Sequence, residues 1–455
     1  MSFRSNLPDT IAAPATPPGR GAIAIVRASG PHVRSIAQQL FVSKQPLSPR
    51  TLVYGTVVDE AGNPIDRAMA VLAHAPRSYT GEDTLEFHVH GSPVIVREVL
   101  RAMLASGARY ARPGEFTRRA FLNGKLDLHA ASSVADVIDA EHRGAAQAAL
   151  ANLDGALATE VRRLRAQLGG LLEEIAASID YPDEVPDPNP LRVRATLEAT
   201  AAALEHLLRE AEFGKLAREG VDVAIVGPPN AGKSSLLNAL LGEERALVSE
   251  IPGTTRDTIE EAIAIEGVLV RLTDTAGLRS GDDAVERAGI KRAQRAITTA
   301  RLLLVVIDGA QPLSNEALRV LGDTRARDRV VLFNKSDLGD EGFRHRGEAE
   351  RDAIFGSVRD RATLQRLRDA IAGSVWHGET PDLQRPHLVS LHEVNAVAGT
   401  LESLTHAQRT LDAKMPFDLL APDLQEAYGA LGQLTGESVT EELLTGIFSR
   451  FCVGK

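Results

Sequence analysis

Cysteine is almost absent from this sequence: Cys452 is the only one in 455 residues. No internal disulfide can form, and a reducing cytoplasm is the expected compartment. Long apolar runs are missing as well. None exceeds the six residues seen at Leu302 to Ile307, against roughly 20 for a membrane-spanning helix, so that run reads as a buried strand. Near the N-terminus, Pro8, Asp9, Pro14, Pro17 and Pro18 occupy positions where a secretory signal needs a continuous apolar core. Neither export nor stable membrane insertion is expected. Aromatic residues are scarce, at 4%, and with abundant Ala and Leu the balance leans towards helix. Positive charge is not in excess. The net charge of −10 argues against indiscriminate nucleic-acid binding, so an RNA partner would have to use local basic patches. What remains is an ordinary globular composition, 44% hydrophobic and 25% charged. The chain is long enough for two to four domains at roughly 150 residues each.

One stretch organises the rest. Val221 to Val226 reads as a short apolar strand, followed at once by Gly227-Pro228-Pro229-Asn230-Ala231-Gly232-Lys233-Ser234, which fits G-x-x-x-x-G-K-[ST] in full. Ser235 to Leu241 then continues in helix formers. Phosphate binding requires this order. The strand delivers the chain, the glycines let backbone N–H groups close around the phosphates, and the helix N-terminus adds its partial positive charge. Lys233 is expected at the β/γ-phosphates and the Ser234 hydroxyl on Mg²⁺.

Further signals follow in the order of a GTPase. Asp274-Thr275-Ala276-Gly277 closes the strand Val268–Thr273, where a carboxylate can reach Mg²⁺ through water and a glycine N–H can sense the γ-phosphate. Asn334-Lys335-Ser336-Asp337 closes the strand at Val330. There Asp337 can accept both N1–H and the exocyclic amine of guanine, while Asn334 and the Lys335 stem complete the base slot; adenine lacks that donor pair. Between them, Gly253-Thr254-Thr255-Arg256-Asp257 offers a threonine to the Mg²⁺ shell. The expected GTP contacts are Asn230, Ala231, Gly232, Lys233, Ser234 and Ser235 in the phosphate loop. To these are added Ser249, Glu250, Ile251, Pro252, Gly253, Thr254 and Thr255, then Asp274, Thr275, Ala276 and Gly277, then Asn334, Lys335 and Asp337, and finally Ser357, Val358 and Arg359.

Hydrolysis needs a further group. Ras-type enzymes orient the attacking water with a Gln just after the glycine of this third motif, and here that position is Leu278. Glu286, in the polar segment Arg279 to Arg287, either positions the water or is a solvated helix glutamate; the residues alone leave both open. No arginine finger can be assigned. A monovalent cation against the phosphates can substitute, with the Asn230 carbonyl and the loop Ser249 to Thr254 as donors.

Along the chain, residues 1–122 alternate short strands, at Ala22–Arg27, Thr51–Val58, Met69–Ala73 and Thr84–His90, with a helix at Val94–Ala105. That mixture predicts an α+β domain. His88 and His90 share one strand face and could grip a metal, but no third ligand is near, and ordinary strand histidines are the preferred reading. From Ala145, Leu150, Leu153, Leu157, Val161, Leu164, Leu168, Leu171, Ile175 and Ile179 recur at helical steps, predicting one long helix. Arg162, Arg163 and Arg165 decorate its other faces, as RNA contacts or, by preference, as a solvated surface. Pro182, Pro186, Pro188 and Pro190 forbid helix across an acidic connector. A second helix, around Leu197 to Leu208, ends before Gly220. Val221 to Trp376 has the rhythm of a doubly wound α/β sheet, and helical pattern returns from Pro386 to the end. The predicted organisation is multidomain: an α+β domain over 1–122, an all-α helical domain made of 123–219 and 377–455, and an inserted Ras-like α/β P-loop GTPase domain over 220–376.

These motifs, with Thr-Pro-Pro-Gly-Arg-Gly at 16–21, Tyr-Thr-Gly-Glu-Asp at 79–83, Ala-Arg-Pro-Gly-Glu-Phe-Thr-Arg-Arg-Ala-Phe-Leu-Asn-Gly-Lys at 111–125 and the ending Phe451-Cys452-Val453-Gly454-Lys455, resemble the MnmE (TrmE) family over nearly the whole chain. The resemblance implies a potassium-activated, homodimeric GTPase. Such an enzyme works with the FAD-dependent protein MnmG, the FAD being on that partner, to place a carboxymethylaminomethyl or aminomethyl group at C5 of the wobble uridine of certain tRNAs. It also implies an N-terminal tetrahydrofolate-binding domain. Carried over by position, Asn230, Ser249, Ile251 and Thr254 would surround K⁺, Ser234 and Thr255 would bind Mg²⁺, and Glu286 would be the catalytic glutamate. Arg27, Glu86, Lys125 and Lys455 would hold 5-formyl-tetrahydrofolate or a related folate. Cys452 is catalytic or incidental. Two positions depart from the family pattern: the loop backing the guanine appears only as Gly356-Ser357-Val358-Arg359, and Pro252 stands where a small residue is usual. The rival reading is a ribosome-assembly GTPase switch resembling Era or Der, which would call for an appended RNA-binding module and no folate site.

Overall fold

The computed structural model describes residues 9–242, 260–265, 268–274, 297–345, 350–376, 385, 387–388, 390–437, 440–449 and 451–455. The chain divides into two compact units, one of Met1–Ile138, Asn152–Glu205 and Ser390–Lys455, the other of Asp139–Ala151 and His206–Val389.

In the first unit a seven-stranded sheet is built from β1 (Thr10–Pro14), β2 (Gly21–Ser29), β3 (Phe41–Val42), β4 (Val53–Val58), β5 (Pro64–Ala73), β6 (Thr84–Gly91) and β7 (Ala108–Tyr110), in the order β3-β4-β5-β6-β2-β1-β7. Every pairing is antiparallel except β1 with β7. Strand alternation sends Val26, Ala28, Ala70, Leu85, Phe87 and Val89 to one face, where they form a core with residues of the helices Val33–Leu40 and Pro93–Ala105. The interleaved residues, Arg27 and Glu86 among them, therefore project from the other face. β1, β3 and β7 are short and carry little period-two signal, and they were not anticipated.

The helices that follow depart from expectation at two places. The apolar register from Leu150 to Ile179 is not one helix: it breaks at Asp154-Gly155, where Gly155 turns left-handed (φ 70°), into Arg143–Leu153 and Ala156–Asp180. Leu157, Val161, Leu164, Leu168, Leu171 and Ile175 are buried, but Leu150 and Ile179 are 52% and 48% exposed and lie off the packed stripe. Nor does Pro190 exclude helix. It starts the helix Pro190–Glu219, where a missing N–H costs no intrahelical bond and φ is already suited. Helix Ala421–Thr435 packs on both Ala156–Asp180 and Leu391–Asp412. The last of these opens with a capping box between Ser390 and Glu393.

The second unit carries a six-stranded sheet: β8 (Val221–Val226), β9 (Glu260–Ile265), β10 (Val268–Asp274), β11 (Leu302–Asp308), β12 (Arg329–Asn334) and β13 (Ile354–Phe355), ordered β13-β12-β11-β8-β10-β9. All neighbours are parallel except β9, which pairs antiparallel with β10 at the edge. Leu302 to Ile307 is buried on both faces, as a central parallel strand requires. The strand order reverses at β8, between β10 and β11, which places the crevice for a ligand at the carboxyl end of β8.

Candidate functional site

The loop after β8 is shaped for a phosphate. Asn230 adopts φ 61° and Gly232 φ 102°, and a Cβ on Gly232 would come within 2.3 Å of Asn334 Nδ2; only glycine lets the loop approach the guanine motif this closely. The helix Lys233–Gly242 begins at once, aiming its free N–H groups and positive dipole end into the loop. Lys233 is buried, and its ammonium donates to the carbonyls of Gly227 (2.8 Å) and Pro228 (2.7 Å). The amine is thus held at the mouth of the loop, within its reach of an incoming phosphate.

The base motif is tied to that loop directly. Asn334, at the end of β12 and 2% exposed, donates from Nδ2 to the Ala231 carbonyl at 2.9 Å and accepts at Oδ1 from the Val358 N–H at 3.1 Å. One side chain joins the phosphate loop, the strand end and the 356–359 loop. Although that loop lacks the family's usual residues, its backbone lies against the motif: the Ser336 N–H donates to the Gly356 carbonyl at 3.1 Å. Ser357 is buried, while Arg359 is exposed and stands 3.5 Å from the Asp337 carboxylate. Lys335, at φ 68°, donates to Asp308 Oδ2 at 2.8 Å. Asp308 was not anticipated; an acid ending a β-strand beside the base motif, in register with Asn334, was the available signal. Asp274 closes β10. Ser249, Glu250, Ile251, Pro252, Gly253, Thr254, Thr255, Thr275, Ala276, Gly277 and Glu286 lie outside the described residues.

A second cluster occupies the open face of the seven-stranded sheet. Cross-strand register sets Arg27 opposite Glu86, and Arg27 Nε donates to Glu86 Oε1 at 2.7 Å. The guanidinium also lies 5.7 Å from the ring centres of both Tyr79 and Phe116, within the range of a cation–π contact. The Tyr79 hydroxyl pairs with Thr117 Oγ1 at 2.9 Å; burial pushes its pKa up, against the opposing effects of that bond and of Arg27. The chain terminus returns to this place. The Phe116 N–H donates to the Lys455 carbonyl at 3.2 Å, and Gly454, at φ 101°, sits where a Cβ would be 2.0 Å from the Pro14 carbonyl. Burial, then the charge of Arg27, hold the Lys455 amine below the usual lysine range, with Glu86 opposing. Lys125 is placed further along the same rim, its ammonium on the Pro76 carbonyl at 3.2 Å. Cys452 is exposed, and its carbonyl accepts from the Gly114 N–H at 3.4 Å.

The other sequence candidates are taken up in polar contacts within the fold. His88 Nε2 lies 3.3 Å from Glu86 and His90 Nδ1 2.8 Å from Asp66; different carboxylates hold them, and no metal-binding group of three or more His, Cys, Asp or Glu occurs among the described residues. Arg163 pairs with Glu160, Arg162 donates to the Ala158 carbonyl, and Arg165 stacks on Tyr428 at 4.0 Å and pairs with Glu437. This favours the structural reading of those arginines over RNA contact. No helix among the described residues is long and apolar enough to cross a membrane.

A phosphate loop at the reversal point of a parallel sheet, hydrogen-bonded to a guanine-type base motif, defines a P-loop GTP hydrolase. Known proteins narrow the class. Residues 10–125 match the family model for the GTP-binding protein TrmE N-terminus, and residues 128–452 match that for the MnmE helical domain. Proteins named tRNA modification GTPase MnmE are 44% identical in Chloroflexus aurantiacus, over 98% of this chain and 100% of that one. The Synechococcus sp. protein of the same name is 42% identical over 100% of both chains, and that of Lactobacillus delbrueckii subsp. bulgaricus 38% over 98% of both. The chain belongs to the MnmE (TrmE) family.

Proposed function

We propose that this chain is a GTP-hydrolysing tRNA-modification enzyme of the cytoplasm. With MnmG, which would carry the FAD, it acts at C5 of the wobble uridine of certain tRNAs, adding a carboxymethylaminomethyl or aminomethyl group with a folate one-carbon unit. The observation that carries the reading is the 2.9 Å bond from Asn334 to the Ala231 carbonyl, which supports one ligand with a triphosphate at one end and guanine at the other. In this reading Lys233 leaves the Gly227 and Pro228 carbonyls for the β/γ-phosphates. Loop N–H groups from Asn230 to Ser235 bind the phosphate oxygens, and Asp337 reads the guanine edge while Asn334 and Lys335 wall the slot. Ser234 and Thr255 would hold Mg²⁺. Asn230, left-handed at φ 61°, would hold K⁺ with Ser249, Ile251 and Thr254. These ions supply positive charge against the charge that develops on the phosphates. Glu286 would orient the attacking water, and two copies of the chain would pair through their GTPase units.

The N-terminal cluster suits a folate: one carboxylate, Glu86, with the cations Arg27 and Lys455 beside it matches the polar groups of a pteridine with a glutamate tail, and the Tyr79 and Phe116 faces suit its aromatic system. Lys125 completes the rim. The test is the GTPase rate in matched KCl and NaCl, alongside wobble-uridine analysis of tRNA from cells lacking the protein. Equal rates in the two salts would remove the potassium role, and unchanged uridines would remove the modification itself.

A further inference from the structure

Asp308 closes β11 in register with Asn334 of the guanine-type motif, and no motif used above names it. Its Oδ2 accepts from the Lys335 ammonium at 2.8 Å, and its Oδ1 from the Ala310 N–H at 3.0 Å. The carboxylate is therefore fixed at both oxygens. The turn that carries it is fixed as well. The Gly309 N–H donates to the Asn334 carbonyl at 2.8 Å, and the Gly309 carbonyl accepts from the N–H groups of Gly342 at 3.0 Å and Phe343 at 3.3 Å. A Cβ on Gly309 would lie 3.0 Å from that Asn334 carbonyl and 3.1 Å from the Phe355 ring, so a side chain at this point would crowd the two strand ends.

Lys335 is held from its other end. Its φ of 68° lies in the left-handed region, which costs a residue with a Cβ and persists only where the surroundings impose it. Its carbonyl accepts from the Leu338 N–H at 2.9 Å, and the next residue, Ser336, donates its N–H to the Gly356 carbonyl at 3.1 Å. With the backbone set by these bonds and the ammonium set by Asp308, the four methylenes between are fixed at both ends. A partly exposed lysine–aspartate pair normally contributes little, because two side chains must be ordered to make it. Here the aspartate is short and already anchored, with each side chain 27% exposed, so what the pair orders is the lysine alone. A stem ordered before the ligand arrives does not have to be ordered by it, and that difference appears as affinity.

We propose that Asp308 is a positioning residue for the base: it pre-orders the Lys335 stem as an apolar wall for the purine ring, leaving the edge of the base to Asp337. The inference rests on the reading of Asn334 to Asp337 as the guanine slot. It is tested in the full chain by titrating GDP and IDP, whose hypoxanthine lacks only the exocyclic amine. Asp308→Asn keeps an acceptor for the Ala310 N–H but removes the charge, and it should weaken both nucleotides by about five- to tenfold, the scale of ordering one long side chain. KM for GTP should rise by the same factor with kcat unchanged, since such a wall acts alike on ground and transition states. Lys335→Met retains an apolar stem without the ammonium, and in that background Asp308→Asn should have no further effect. The proposal is overturned by an equal loss in both backgrounds, by full GDP affinity in Asp308→Asn, or by a loss confined to GDP, which would put the effect at the edge reader. If Asp337→Asn binds GDP as tightly as the unaltered protein, the reading of the guanine slot itself fails.

Discussion

The two sheets of this protein build their sites by opposite means. In the six-stranded sheet the proposed site sits in loops beyond the strand ends, and its first half is one unbroken stretch, Gly227 to Ser234, in which backbone N–H groups would do much of the binding. On the seven-stranded sheet the site sits on a face. It is assembled from side chains 59 positions apart at Arg27 and Glu86 and from a chain terminus that returns to Phe116. A contiguous loop holds its shape through local hydrogen bonds and a helix end. A face holds its shape only while the strand register holds. The first kind of site should therefore be lost abruptly to single substitutions, and the second eroded.

The largest expected effect is at Lys233. Lys233→Ala removes a cation that can bond two phosphate oxygens; at roughly 1.5–3 kcal/mol per charge-assisted bond, kcat/KM for GTP should fall at least about 10²-fold. If 5-formyl-tetrahydrofolate affinity fell equally, the two sites would not be separable. Next comes Asn334→Ala, which leaves the half-buried Val358 N–H without its partner and cuts the tie to Ala231. A loss of about 1–3 kcal/mol in guanine nucleotide binding is expected, read by fluorescent GDP titration. Arg27→Ala should lower folate affinity by about tenfold, since a partly exposed pair is worth less than a buried one, and leave GDP affinity unchanged.

A smaller effect concerns the helical part. His129 and Glu393, 1% and 6% exposed at the side chain, are 2.7 Å apart. Burial opposes charge on His129, but Glu393 and then Asp127 outweigh it and hold its pKa above the ordinary 6.5. A proton bound more tightly in the folded than in the unfolded chain stabilises fully below pH 6.5, and that contribution is lost as pH climbs through the raised value. Melting temperature should accordingly fall on that alkaline side, and His129→Gln should flatten the profile; an unchanged profile would remove the pair from the balance. The smallest effect is expected at Arg163→Ala, whose exposed pair with Glu160 should cost less than about 0.5 kcal/mol in chemical denaturation.

The sequence was most legible where a signal is local. Val221–Val226 forms a strand with the bounds expected, and the apolar run Leu302 to Ile307 is buried throughout its strand, because a strand between two parallel neighbours is covered on both faces. The helix expected through Leu150 broke because one glycine at position 155 outweighs a continuing leucine register, and periodicity cannot register a single left-handed residue. β1, β3, β7 and β13 escaped notice because two to five residues carry too little pattern to declare themselves.

By itself, the sequence pointed to Gly227 to Ser234 as the phosphate loop and to Asn334 to Asp337 as the guanine reader, since the chemistry proposed for each lies within a few consecutive residues. Only the tertiary structure decided that Asn334 bonds the Ala231 carbonyl, that Asp308 holds Lys335, and that Arg27, Glu86 and Lys455 lie together. Those are long-range proximities, created by strand register and chain return, and no short window of sequence contains them.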